Sequence, residues 1–416
     1  MTKQTWPRID RSPLLLRDGY RFAQRRRTTP GEDATRTRLA GSRAVVVRGP
    51  RAVEFFYMDP VLERSSAIPQ PVMHPLFGPG AVHGLDGPAH ASRKSWFNDV
   101  LDTATVHDLM GRVQPRWDAE VASWKGEVDV FERASAVLLQ VVTEWAGFVV
   151  PTSRLERRRR DMVAMVDGFG SFGPRYLRAR RARRRTQVWI RSLVERAREH
   201  GATRVLAEVA DLRDEHGELL PADVAATELI NLVRPTVAVA WLVAQGARAL
   251  AGSPRVVDGL GTGDLSPWWL AHEVRRTAPF VPFLAARATQ DTRFDDVDVP
   301  AGTLVVLDVW GTNHDPRVWE RPDELDPWRF ESEEITPYDM VPQGGHIRED
   351  GHRCPGEDLT TGLLVVMLPA LATVSFAITH GGAPGLRRMP PEPRCDVLVG
   401  RGENVVALRR AERGRS

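Results

Sequence analysis

The run Met340-Val-Pro-Gln-Gly-Gly-His-Ile-Arg-Glu-Asp-Gly-His-Arg-Cys-Pro-Gly-Glu357 decides how this chain is read. A glycine-rich loop delivers one cysteine, Cys354, to the start of an apolar helix. Gly344, Gly345, Gly351 and Gly356 let the backbone pass close to something large and flat. Pro355 suits the first helical position, where a missing N–H costs nothing. A sulfur there meets unpaired N–H groups and the positive end of a helix dipole, which favours the thiolate. Such a thiolate, in a loop shaped for a plate, suits axial ligation of haem iron. Taken alone, the loop also fits a buried structural cysteine.

Composition narrows the class. The chain has 416 residues, 42% hydrophobic and 27% charged, ordinary for a globular protein, and its length also suits a large helical enzyme of one domain. A net charge of +3 gives no global nucleic-acid footprint, so no nucleic-acid partner is expected. Two cysteines cannot make a disulfide scaffold, and a metal-binding Cys354 leaves Cys395 free. The segment Met1-Thr-Lys-Gln-Thr-Trp-Pro7 lacks the apolar core of a signal peptide. The longest apolar stretch, 359–378, contains Pro369 and reads as a buried core helix rather than a membrane span. A cytoplasmic protein without stable membrane insertion is expected.

Helical periodicity covers segments near 103–123, 131–149, 154–168, 179–200, 222–250, 266–278 and 358–374. Strand signals are few: 43–48, 303–308 and a terminal hairpin around Gly400-Arg-Gly-Glu-Asn404. The expected fold is mainly α with small peripheral β-sheets, in a single domain over 1–416. Two arginine runs, 157–160 and 178–185, read as solvated helix faces, with an acidic lipid or an anionic substrate as the minority reading.

Glu273 and Arg276 lie three apart in Trp268-Trp-Leu-Ala-His-Glu-Val-Arg-Arg-Thr277, on one helix face, so they can pair. Arg329, in Pro322-Asp-Glu-Leu-Asp-Pro-Trp-Arg-Phe330, could complete a Glu–Arg–Arg structural cluster. The segment Glu228-Leu-Ile-Asn-Leu-Val-Arg-Pro-Thr-Val-Ala-Val-Ala-Trp241 is apolar nearly all round, so it runs through the core. Inside it, Pro235 frees a carbonyl and kinks the helix. A buried Arg234 is costly without an anion, and a carboxylate matches its guanidinium fork. An internal Asp or Glu could also supply that partner.

An E-x-x-R helix, an arginine-bearing meander and a Gly-loop cysteine, in this order, resemble the cytochrome P-450 superfamily across essentially the whole chain. Met340 stands where the family's loop usually begins with an aromatic, and His346-Ile-Arg-Glu-Asp350 lengthens the loop. The Pro-Gln-Gly-Gly opening and Gly-His-Arg-Cys ending look like the bacterial fatty-acid peroxygenase and decarboxylase family. Arg234-Pro235 also resembles that family, in place of the acid–alcohol pair of oxygen-activating members.

The resemblance implies haem b (iron protoporphyrin IX) on the Cys354 thiolate and hydrogen peroxide as co-substrate. The implied substrate is a medium- or long-chain fatty acid, with no obligatory redox partner. Arg234 would anchor the carboxylate, which supplies the acid–base group that the protein lacks, so that chemistry falls at the α and β carbons. His83 aligns with a distal position that is His in decarboxylating relatives and Gln in many hydroxylating ones. Phe77, after Leu76, matches the decarboxylase pattern behind that histidine. Arg64, His90, Arg93 and His352 look like haem-propionate contacts. Phe169, Phe172, Phe280, Val281 and Phe283 stand where relatives line the acyl tunnel. The expected activity is decarboxylation to terminal alkenes with α- and β-hydroxylation alongside. The alternatives are hydroxylation as the main activity, a redox-partner-dependent monooxygenase and a non-catalytic haem protein.

Overall fold

A computed structural model describes residues 6–27, 32–332, 334–349 and 351–400. Its axis is the helix Ala222–Gly252, whose most apolar window is long enough to cross a membrane but is 89% buried inside the protein. The helices most extensively packed against it are Val130–Trp145, Thr152–Asp167, Gly173–His200 and Glu357–Ala372. Burial on every side explains why this helix shows little polar face. The helix assignment continues through Pro235, so the proline removes one backbone bond without ending the helix. Helix starts are fixed by short acceptors: Asp102 accepts from the Thr105 N–H at 2.7 Å and Asp129 from the Phe131 N–H at 2.9 Å.

The five-stranded sheet has the order Ala34–Leu39, Ser42–Val47, Leu304–Asp308, Phe283–Ala288, Leu62–Glu63. Its two central strands are parallel, with Val45 opposite Val305 and Val47 opposite Leu307. Those four side chains enter one apolar cluster, whereas Ala44, Val46, Leu304 and Val306 enter another. Side chains alternate across a strand, so a sheet covered on both faces needs the unbroken apolar runs seen in the sequence. A second sheet joins Gly126–Asp129, Asp396–Val399 and Phe376–His380. The hairpin expected around 400–404 lies, beyond Gly400, outside the described residues.

The Glu273–Arg276–Arg329 cluster forms as the spacing predicts. Arg276 donates to Glu273 twice, at 2.8 and 2.7 Å, and both side chains are fully buried. Arg329 Nε lies 3.4 Å from the same carboxylate, which also accepts the Asp326 N–H at 2.9 Å. Arg276 spends its other nitrogen on the Asn313 and Pro322 carbonyls, both at 2.9 Å, and so ties the meander to the helix. Each charge is paired and hydrogen-bonded, the condition for burying an ion pair.

The arginine runs depart from a purely solvated face. Arg159 is buried and pairs with Glu156 and Glu132 at 2.7 and 3.0 Å. Arg183 is buried too, donating to the Leu76 carbonyl, Gln187 and Thr227. A helix that packs on two sides turns some of any consecutive run inward.

Two histidines make acid stability predictable. Burial, helped by Arg275 beside His272 and Arg276 beside His314, pushes both imidazoles down to about 4. The unfolded chain takes up protons there as pH falls through about 6.5, the folded chain only near about 4. Their stabilisation is therefore complete above the upper value and lost progressively toward the lower one. The melting temperature is expected to fall across that window. A flat profile there would remove these histidines from the account.

Candidate active site

The cysteine loop folds between the helices Pro267–Thr277 and Glu357–Ala372. Cys354 N–H donates to the Gln343 carbonyl at 3.0 Å, and Gln343 Nε2 lies 4.0 Å from Sγ. Helix Glu357–Ala372 begins two residues after Pro355, with Gly356 at its cap, so Pro355 sits in the turn rather than at the first helical position. The Gly356 N–H and the Lys94 ammonium favour the thiolate, yet burial outweighs them and pushes the thiol up. The helix start alone therefore does not give a thiolate; a bound metal would, because coordination deprotonates a thiol outright. Gly344, at φ +99°, and Gly345 are required by packing: a Cβ would stand 2.6 Å from the Tyr57 hydroxyl and 2.4 Å from Val53. Sequence reasoning missed Arg275, which holds Gln343 Oε1 at 2.9 Å and pairs closely with Glu357.

Beside the loop lies a cluster of cationic and imidazole groups. The His90 and His352 rings stack at 3.8 Å, and His352 Nε2 is 3.2 Å from Asp86. Arg64 lies over Phe56 at 3.8 Å, with Nη1 buried and unpartnered. Lys94, which the sequence did not single out, is buried and pushed down to about 8, chiefly by burial. It belongs to the helix Gly87–Val100, which periodicity missed because its buried face mixes His90, Arg93 and Lys94 with Phe97 and Val100. Arg93 is not free for a propionate. It is spent on Glu228 of the central helix, at 2.6 Å.

On the central helix, Arg234 is buried and its Nη2 donates to Asn231 Oδ1 at 3.2 Å. Its Nε has no partner, and no carboxylate among the described residues pairs with it. The nearby acid, Glu228, is already taken by Arg93, by the Val82 N–H at 2.8 Å and by Asn231 Nδ2 at 3.2 Å. Burial and the neighbouring Arg183 push Arg234 down to about 9. The guanidinium lies 5.8 Å from the centre of the Phe77 ring. Phe77 stacks on His83 at 4.0 Å and meets Phe169 edge-on at 5.7 Å. His83 keeps accessible surface although enclosed by protein, as a side chain lining an internal space does. Burial, then the charge of Arg234, holds its pKa well below the ordinary range, so this imidazole is neutral.

The apolar candidates separate. Leu76 is buried in the main core, and Phe280 packs there at 6.0 Å from Trp241. Val281 packs on the second cluster, while Phe283 opens a strand and meets Phe22 edge-on at 6.4 Å. Phe172 is 70% exposed, so it lines no buried tunnel: it caps the helix Gly173–His200 and points away from the core.

The donor set fits an iron porphyrin. It offers one buried thiol, a group of basic side chains with an unpartnered Arg64 nitrogen for acidic groups, and an Arg234–His83–Phe77 wall. Cys395 is no rival ligand. It is buried just before the strand Asp396–Val399, away from the glycine-rich loop, and its carbonyl accepts the Val130 N–H at 2.9 Å.

Comparison with known proteins agrees. The cytochrome P450 family profile matches residues 269–371, from the E-x-x-R helix through the cysteine loop. Cytochrome P450 83A1 of Arabidopsis thaliana is 34% identical over 138 residues, 32% of this chain; the match spans about a quarter of that protein's length. Among solved structures, cytochrome P450EX alpha (CYP152N1) with myristic acid is 33% identical. It covers 96% of this chain and all of its own, with a TM-score of 0.89. Ligand-free cytochrome P450 OleT is 29% identical, covering 95% of this chain and 99% of its own, also at 0.89. A fold shared from end to end, with the thiol loop, the basic cluster and the buried arginine in place, shows that the chain belongs to the cytochrome P450 family, in its branch of fatty-acid peroxygenases.

Proposed function

We propose that the protein is a haem-thiolate enzyme that uses hydrogen peroxide on medium- or long-chain fatty acids, releasing terminal alkenes with α- and β-hydroxy acids alongside. The observation that carries this reading is Arg234, a buried guanidinium with an unpartnered Nε and no carboxylate of its own. Solved relatives hold myristic acid and, in an OleT variant, arachidonic acid.

When bound, haem ligated by Cys354 supplies the oxidising chemistry, and a thiolate ligand favours O–O cleavage. Arg64, His90, Lys94 and His352 would hold its acidic groups. Arg234 receives the substrate carboxylate through the guanidinium N–H groups that Asn231 leaves free, while Asn231 steadies Nη2. Held there, the carboxylate serves as the acid–base group, which is why no internal Asp or Glu occupies Arg234. Phe77 orients His83 by stacking and closes the wall against water. A neutral imidazole can accept a proton at one nitrogen and donate from the other. Binding of the carboxylate offsets the Arg234 charge, the lesser of the two main influences that hold the His83 pKa down.

The test is incubation of purified protein with a long-chain fatty acid and peroxide, without reductase, followed by gas chromatography. Turnover that requires dioxygen and an electron donor would overturn the peroxide reading. His83→Gln is expected to retain substrate binding and shift products from alkene toward 2- and 3-hydroxy acids, because glutamine hydrogen-bonds but does not titrate. An unchanged alkene fraction would show that His83 does not set the product; a wild type that yields only hydroxy acids would remove the decarboxylase activity and leave the peroxygenase.

A further inference from the structure

The turn after helix Thr152–Asp167 faces two ways. Phe169 lies against Phe77, whereas Phe172, three residues on, is 70% exposed. Phe172 stands just before the helix Gly173–His200, which carries an exposed face of its own. Leu177, Arg181, Arg184 and Val188 follow one another at helical spacing and share that face. Leu177 and Val188 are 44% and 65% exposed, large apolar groups set among arginines. The arginine ion pairs of this helix belong to Arg175, Arg185 and Arg191. Among the described residues, Arg178, Arg180, Arg181 and Arg184 have no acidic partner. The chain as a whole carries only +3, so this unneutralised charge is local.

We propose that this face docks peripherally on an anionic lipid bilayer. Arginines free of intramolecular acids are attracted to a negative headgroup layer, and the attraction is screened by salt. Leu177 and Val188, exposed among these arginines, and Phe172 at the helix start gain by entering the headgroup boundary. A nucleic acid would match the arginines but leave the three apolar side chains without a partner. The turn that carries Phe172 also carries Phe169, so the docked face adjoins the wall of the site. A substrate that partitions into lipid would then be taken up where the protein sits. Nothing spans the bilayer in this arrangement, which uses the helix surface alone.

Vesicle co-sedimentation of the haem-loaded protein tests this independently of its activity. Binding is expected to vesicles of mixed phosphatidylglycerol and phosphatidylcholine, to be lost at high salt, and to be absent with phosphatidylcholine alone. The double variant Arg181→Gln/Arg184→Gln is expected to bind about tenfold more weakly or worse, with an unchanged melting temperature. Phe172→Ser should weaken binding without altering its salt dependence. Equal binding to both vesicle types, no binding to either, a double variant as tight as wild type, or capture of duplex DNA without vesicle binding would each overturn the proposal.

Discussion

Arg234→Leu is expected to weaken fatty-acid binding strongly and to remove peroxide-driven turnover with it, while leaving the protein as stable as before, or more so. The two effects part because Arg234 is buried, next to the like charge of Arg183, with one side-chain partner and an orphaned Nε. Replacing such a cation with an apolar side chain of comparable reach relieves a desolvation cost. Binding loses a charge-assisted contact of about 1.5–3 kcal/mol, and more in a desolvated site. That corresponds to roughly ten- to a hundred-and-fifty-fold in Kd. Turnover falls further, because the same contact places the acid–base group. A spectral titration with a long-chain fatty acid, paired with a thermal melt, measures both. Wild-type affinity in the variant would exclude the carboxylate anchor; a collapse in melting temperature would make Arg234 a structural residue.

Cys354→Ser carries the other large effect. The variant is expected to lose the thiolate-type red shift of the reduced carbon-monoxide spectrum and the peroxide activity with it. Cys395→Ser should change neither, since that thiol is buried just before the strand Asp396–Val399, away from the glycine-rich loop. A red shift that survives in Cys354→Ser would move the ligand elsewhere. The glycine loop would then be a packing device against Tyr57 and Val53 only.

Much of this was legible in the chain because it depends on local order. The helix periods, the Glu273–Arg276 spacing and the cysteine loop all lie within short windows. Other features were not, for reasons of reach. Arg93 meets Glu228 across 135 positions, and no local pattern announces that partner. Helix Gly87–Val100 buries three basic side chains beside Phe97 and Val100, so its inward face does not read as an apolar stripe. Phe169 and Phe172 are alike in type and spacing, but a turn sends one inward and one outward, and aromatic content cannot tell them apart. The thiolate at Cys354 was argued from the helix dipole, whereas burial turned out to be the larger influence.

Glu228 has a consequence for how such a site can change over generations. Its one carboxylate grips the backbone next to His83 and the amide that steers Arg234. The two pocket residues therefore share a support, although they belong to distant segments. Substitutions at His83 and at Arg234 should be epistatic: the effect of one depends on which residue stands at the other. Paths to a new product preference would then run through paired exchanges, and a residue grafted singly from a relative would underperform its own background.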